Sequence, residues 1–246
     1  MSGRLGHISG DRRVGHVPKN GLRVTNYAYG LGGCTFWLDA SALVNSGTPA
    51  DLDPVSSWAD KITGIPFLQT TAGNRPRIRT ANASYNNNPT IEFFDNVRRL
   101  TSNTRFQLGS TVVFVANYNT IQTANLLIGS NVNATSSIGL GGSFAGLNGV
   151  YVNLASTGSF VMQGTTDSSS VKIVVITQNM IFVNGVQEAT GSFQYDDTVN
   201  QIGQRGTESG IALVGNVAEI LFFNYNFTAL ECLRMSTYLN SKYAIY

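Results

Sequence analysis

The sequence predicts an all-β protein: a β-sandwich finished by one short C-terminal helix and preceded by an extended N-terminal arm. Three observations lead there. Short apolar or alternating runs recur at hairpin spacing, separated by Gly, Asn, Ser, Thr and Pro, which is the pattern of strands joined by turns. Charged residues make up only 12% of the 246 residues and glycine numbers 26, against roughly 25% charged in an average soluble domain; that balance argues against a helical bundle. A single segment, close to the C-terminus, carries a helix start signal. A chain of this length can bury a full core as one large β-domain.

Residues 1–32 stand apart as an arm. Glycines at 3, 6, 10, 15 and 21 interrupt it, Pro18 stiffens it, and its apolar residues appear singly. Such a stretch cannot bury enough surface to fold alone. It carries Arg4, Arg12, Arg13, Lys19 and Arg23 against Asp11, whereas the rest of the chain is slightly acidic. Well-spaced cations of this kind suit a peptide draped over a partner, and these five residues are the expected anchors. No apolar stretch resembling a signal peptide opens the chain, so synthesis in a cytoplasm is expected. No window reaches the roughly 18 apolar residues of a membrane helix.

The body, residues 33–246, reads strand by strand. GCTFWLDASALV at 33–44 gives a first strand and the turn leaving it, and a loop follows to Ala59. Ile65–Gln69 is a short strand. Arg75, Arg77 and Arg79 alternate, so an extended backbone puts them on one side. Thr90–Asp95 and Arg99–Thr101 read as a strand pair around a turn. STVVFVANYN from Ser110 is a buried strand, and ANLLIGS, SSIGLGG and GVYVNLAS follow as shorter ones. Val171–Ile176, Met180–Val183 and Val186–Glu188 form hairpins, the second through Asn184-Gly185, a dipeptide suited to a two-residue I′ turn. Asn200–Gln204 is a further strand.

The chain is organised around its last element. Val217–Phe223 is almost unbroken apolar sequence with one charge, Glu219, and suits a strand buried on both faces. Thr228 and Glu231 have the spacing of a capping box, with Lys242 in the last turn, where the helix dipole favours a cation. Leu230, Leu233 and Thr237 line one side of that helix, with Tyr238 and Leu239 nearby. Cys34 and Cys232 read as buried thiols, though a disulfide between them is conceivable.

Several phrases, in order, resemble the concanavalin A-like lectin/glucanase superfamily near its laminin G-like branch. They are FWLDAS at 36–41, SSWADK at 56–61, PTIEFFD at 89–95, STVVFVA at 110–116, KIVVIT…MIFVNGVQ at 172–187 and NVAEILFFNYNFTALE…YLNSKY at 216–243. The resemblance covers the body and implies a jelly-roll-like sandwich of two antiparallel sheets. Versions ending in a short helix with a YL..KY finish look similar to domains of bacteriophage virion proteins and of some bacterial surface proteins.

The residues name no reaction. Glycoside hydrolysis needs two carboxylates across the scissile bond; the Glu-x-Asp-x-x-Glu pattern of the superfamily's glucanases is missing, and Glu92 and Asp95 would face opposite sides of a strand. Asp196-Asp197 sits in a turn. Asp51 and Asp53 could seed a calcium site, but Asp-rich turns are usually only turns. His7 and His16 both lie in the arm, so the body cannot assemble a histidine triad. GLGG at 139–142 lacks the lysine and helix of a phosphate loop. Arg75, Arg77, Arg79, Arg98, Arg99 and Arg105 lack the interleaved aromatics of single-strand binders. Trp58, Tyr85, Asn86 and Asn87 could form a glycan-binding surface, although a tryptophan packed under its loop and asparagines satisfying turn backbone is the favoured account of them.

The expectation is a non-enzymatic virion structural protein without metal or cofactor. It would be a capsid decoration or cement protein, anchored on the major capsid protein by its arm and forming a homo-oligomer, with a trimer as one candidate. The alternative is a glycan- or receptor-binding module of a tail fibre or baseplate. Membrane partners are not expected, and nucleic acid only weakly.

Overall fold

A computed structural model of the chain describes residues 32–45, 47, 49–120, 124–130, 137–141, 149–154, 159–166, 168–193, 198–206 and 211–246. The five arm cations, both histidines and Asp196-Asp197 lie outside them. In the body, Gly33–Tyr246, the described residues form sixteen strands: β1 (Cys34–Asp39), β2 (Ser57–Ala59), β3 (Pro66–Leu68), β4 (Arg77–Asn82), β5 (Asn88–Phe93), β6 (Leu100–Gln107), β7 (Thr111–Tyr118), β8 (Leu126–Gly129), β9 (Ser137–Gly139), β10 (Tyr151–Leu154), β11 (Ser159–Gln163), β12 (Lys172–Thr177), β13 (Met180–Val183), β14 (Val186–Thr190), β15 (Thr198–Ile202) and β16 (Gly215–Phe223). Two helices accompany them, α1 (Ser41–Asn45), where the sequence suggested a turn, and α2 (Ala229–Tyr243).

The strands make two antiparallel sheets of eight. The first runs β14-β13-β12-β7-β16-β5-β4, with β1 also on β16, and the second β11-β10-β9-β8-β15-β6-β3-β2. The fold is thus the all-β sandwich the sequence predicted. One local reading needs correcting. β5 and β6 do not pair; they lie in different sheets, so the turn between them carries the chain from one layer to the other.

β16 is the axis of the first sheet. All nine of its residues are buried, and it pairs with β7 from Gly215–Tyr118 to Phe223–Thr111. Its other edge is shared: Gly215–Val217 pairs with β5, and Glu219–Phe223 with β1. The changeover falls at Ala218, whose carbonyl accepts the Ala40 N–H at 2.9 Å. The register also shifts there against β7, as a bulge does.

Alternation divides the buried residues between two faces. Phe36, Leu38, Phe114, Ala116, Val174, Ile176, Val217, Ile220 and Phe222 face the second sheet and meet Leu100, Ile128, Ile138, Val152, Val199 and Ile202 in one core. Phe36 stacks on Phe222 with ring centroids 4.4 Å apart. The intervening residues Val113, Val115, Ile173, Val175, Leu221 and Phe223 are just as buried and face the other way. α2 packs against β12, which explains why β7, β12 and β16 read as continuous apolar runs.

The capping box forms as expected: the Thr228 side chain accepts the Glu231 N–H, and the Glu231 carboxylate accepts the Thr228 N–H. Asn184 and Gly185 take φ of 50° and 76°, the left-handed pair a I′ turn requires. The packing face of α2, however, includes only Leu239 of the residues read on that side. Cys232, Met235, Ser236, Leu239 and Tyr243 are buried, whereas Leu230 and Leu233 are 56% and 42% exposed. Both stripes repeat every three or four residues, so periodicity alone does not choose between them. The chosen face has small side chains, Cys232 and Ser236, that allow close approach to the sheet, and Tyr243 can reach a buried acceptor. Among the described residues no helix is long and apolar enough to cross a membrane.

This assignment has a direct test. Leu239→Ala should lower the unfolding free energy by about 2–5 kcal/mol, the range for a buried leucine. Leu233→Ala should change it by no more than about 0.5 kcal/mol. Urea denaturation of both variants checks the pair; equal losses would mean that the helix is rotated.

Candidate functional site

The residues expected to meet glycan do not form a surface. Trp58 and Tyr85 are both fully buried. Trp58, on β2, belongs to the inter-sheet core, and its Nε1–H donates to the Asp39 carbonyl at 3.2 Å. The Tyr85 hydroxyl sits 2.9 Å from Asn117 Oδ1 and 3.0 Å from the Asn216 carbonyl. Neither ring has a face open to a sugar. Asn86 and Asn87 are exposed, in left-handed backbone with φ of 54° and 57°. Asn86 Nδ2 and Asn88 Nδ2 donate to the Lys242 carbonyl at 3.2 and 2.9 Å. The loop therefore caps the C-terminal end of α2, where helix carbonyls lack partners.

A charged cluster that the sequence reading passed over lies between β1, β16 and α2. Asp39 and Glu219 are cross-strand neighbours, 4% and 1% exposed. Lys242 Nζ lies 3.2 Å from Glu219 Oε2 and 3.8 Å from Asp39 Oδ1. Lys61 Nζ pairs with Asp39 Oδ2 at 2.9 Å and sits 3.7 Å over the Trp37 ring. Glu219 also accepts from Trp37 Nε1–H and the Tyr243 hydroxyl, each at 2.9 Å. Burial pushes the Glu219 carboxyl above its ordinary range and Asp39 adds to this; Lys242 and the Tyr243 hydrogen bond only partly oppose it. Burial pushes Asp39 the same way, but Lys242, the Ser41 hydroxyl and Lys61 outweigh it and hold its carboxyl below the usual range. The only sequence signal was a lone charge inside each apolar run, at FWLD and AEILFF.

Most of the remaining described charges also serve the frame. Every Asp and Glu among the described residues accepts a hydrogen bond from within the body. Glu92 takes Arg77 at 2.8 Å and Arg79 at 3.5 Å, so the two arginines do share a side, but as partners of one carboxylate. Asp95 holds Arg98 at 2.8 Å, and Arg77 and Arg98 lie against the Phe94 ring. Arg75 donates to the Gln69 and Thr70 carbonyls, and Arg99 to Gln204 Oε1. Asp51 accepts the Thr80 N–H and Asp53 the Ala50 N–H. The described residues contain no group of three or more His, Cys, Asp or Glu suited to a metal ion. Cys34 and Cys232 are free, and burial pushes each thiol up to about 12.

Two open clefts lie among the described residues. One, of about 470 Å³, opens at the end of the sandwich where β1 begins and β6 finishes; Phe36 and Phe106 floor it, and Thr63, Arg105 and Gln178 stand around it. The other, of about 360 Å³, lies between Leu43, Pro49, Val55 and Ile78. None of Trp58, Tyr85, Asn86 and Asn87 lines either one.

No family model matches the chain, and no curated protein matches it. Solved structures do. Domain 4 of AbnA, a GH43 extracellular arabinanase from Geobacillus stearothermophilus, in complex with arabinotriose, superposes with a TM-score of 0.56 at 10% identity, over 83% of this chain and 98% of that domain. Trypanosoma rangeli sialidase in complex with sialic acid matches with a TM-score of 0.50 at 14% identity, over 83% of this chain but only 33% of the sialidase. The chain therefore spans about a third of that enzyme's length. At these identities the likeness is one of fold alone, a two-sheet β-sandwich.

The buried cluster sets expectations for stability. Lys242→Met leaves two carboxylates buried side by side and should cost about 3–5 kcal/mol. Asp39, held below its ordinary value, stabilises the fold above that value, and this contribution is lost as pH falls through its folded pKa. Glu219, held above 4.5, acts in the opposite sense: its contribution is present below 4.5 and lost as pH rises through its folded pKa. Asp39→Asn should therefore flatten the acid limb of stability against pH, and Glu219→Gln should remove the decline on the less acidic side. Urea denaturation across pH checks both; unchanged limbs would refute the assignment.

Proposed function

We propose that this protein is a non-enzymatic structural component of a bacteriophage virion. It is a decoration or cement protein whose arm, through Arg4, Arg12, Arg13, Lys19 and Arg23, anchors it on the major capsid protein, while the sandwich is presented outward, assembled as a homo-oligomer. The observation that carries this reading is the internal use of charge. Each described Asp and Glu accepts a hydrogen bond within the body, and the Arg75–Arg99 group is engaged there too. Attachment through charge then falls to the arm, which holds five cations against one acidic residue. An extended arm touching several neighbours gains avidity, because each further contact is intramolecular.

A second reading, a glycan- or receptor-binding module of a tail fibre or baseplate, is favoured by one observation. The arabinanase domain matched over 98% of its length was solved with arabinotriose bound, so a sandwich of this extent is sufficient for a sugar-binding module. The two readings are compatible, since a body held on a particle can also bind.

Deletion of residues 2–30 tests the first reading. The truncated protein is expected to keep the circular dichroism of a folded β-protein while failing to co-sediment with phage heads that bind the full chain. Undiminished co-sedimentation of the truncated protein would overturn the arm's role.

A further inference from the structure

The cleft at the end of the sandwich is where an unengaged charge meets open space. It holds about 470 Å³ between the start of β1, the end of β6 and Gln178, within the size range of small-ligand sites. β6 reaches it irregularly. Its pairing with β15 loses register between Val199 and Gln201, and the Thr104 N–H turns to the Ser102 hydroxyl at 3.1 Å. Asn103, Thr104 and Arg105 are consequently all exposed. Beneath them Phe106 meets the edge of Phe36 at 4.7 Å and stacks on Phe67 at 5.3 Å, which gives the cleft a firm apolar floor.

Among the described residues Arg105 is the only charged one lining this cleft, and it differs from the cations around it. Lys61, Arg77, Arg79, Arg98 and Lys242 pair with carboxylates, and Arg75 and Arg99 donate to oxygens of the body. Arg105 makes no ion pair or hydrogen bond within the described body, a trait it shares with Arg234 on the exposed side of α2. Asp60 does not answer it. That carboxylate lies three residues before the Thr63 wall, is 1% exposed, and accepts the Trp37, Ile62 and Thr63 N–H groups and the Thr63 hydroxyl. The rest of the border is neutral, with the Thr104 and Ser110 hydroxyls and the Gln178 amide among its polar groups.

We infer that this cleft binds a carboxylated saccharide, a uronic acid unit, and that Arg105 holds its carboxylate. A guanidinium presents a planar fork that matches a carboxylate with two parallel hydrogen bonds. One cation balances one negative charge, whereas a phosphate monoester would bring a second charge with nothing to meet it. Hydroxyls and an amide both give and accept hydrogen bonds, which suits the hydroxyls of a sugar ring, and the apolar floor suits its C–H face. A mostly apolar cleft with a few placed polar groups is the usual form of a small-ligand site. The inference rests on the second of the two readings above, names the class of sugar for it, and is independent of how the arm attaches.

Isothermal titration calorimetry of the full chain tests this with trigalacturonate and its methyl ester, two probes that differ in charge. The acid should bind, and the ester about tenfold more weakly or worse. Arg105→Gln should weaken binding of the acid by about tenfold or more at an unchanged melting temperature, because Arg105 supports nothing in the body. Arg105→Lys keeps the charge without the fork and should recover part of the affinity. Arg234→Gln removes the other unpartnered arginine and should change nothing. Equal losses in Arg105→Gln and Arg234→Gln would mean diffuse attraction and overturn the site. So would binding of an N-acetylated dipeptide carboxylate without binding of trigalacturonate, which would assign the cleft to peptide ends. Ester and acid bound alike, with no effect of Arg105→Gln, would sink this inference and leave the glycan-binding reading standing. Neither sugar bound, with cellotriose and maltotriose also silent, would overturn both.

Discussion

The structure depends on a carboxylate placed where carboxylates are costly. β16 is buried along its whole length, and Glu219 in its middle is 1% exposed. A lone ionised group there would be strongly destabilising, so the surroundings must answer it. Trp37 from β1, and Lys242 and Tyr243 from the last turn of α2, all converge on its two oxygens. That need ties together three elements distant in sequence. It fixes the rotation of α2, because only the face bearing Tyr243 reaches Glu219, and it explains why Leu230 and Leu233 are left outside. It also holds β1 against the half of β16 that β5 does not cover. The Asn86 and Asn88 amides then complete the end of the helix at the Lys242 carbonyl, so the residue that neutralises the buried pair is clasped through its backbone as well.

What could be read from sequence was the chemistry that acts over a few residues. The capping box, the Asn184-Gly185 turn and the doubly buried strands are local statements, and the structure bears them out. The helix face was not legible, because Leu230–Leu233–Thr237 and Cys232–Met235–Leu239–Tyr243 have equivalent spacing and the deciding partner lies on another strand. Trp58 and Tyr85 sit in polar, turn-rich sequence that masks their burial; their anchors are the Asp39 carbonyl and the Asn117–Asn216 pair, which only tertiary structure brings near. The turn from β5 to β6 carries the same residues whether a chain doubles back in one sheet or crosses to the other.

The low charge of this chain acquires a physical meaning from these contacts. The few acidic groups are struts: Asp60 fixes the Trp37 N–H at 2.6 Å, Glu188 gathers the Thr165 and Thr166 amides, and Glu92 joins β4 to β5. A body whose charges face its own backbone has little long-range field with which to steer a charged partner. Apart from a lone cation such as Arg105, recognition by such a body must rely on neutral hydrogen bonds and shape. Those act at contact distance, and they work best where water is already excluded, because a hydrogen bond gains strength in a low-dielectric setting.

On the reading proposed above, the five cations of the Gly-rich arm make contacts that depend on charge and weaken with salt. Hydrogen bonds from neutral groups of the body do not share that dependence. Raising the ionic strength should therefore release what the arm holds, while any contact made by neutral groups of the body stays in place.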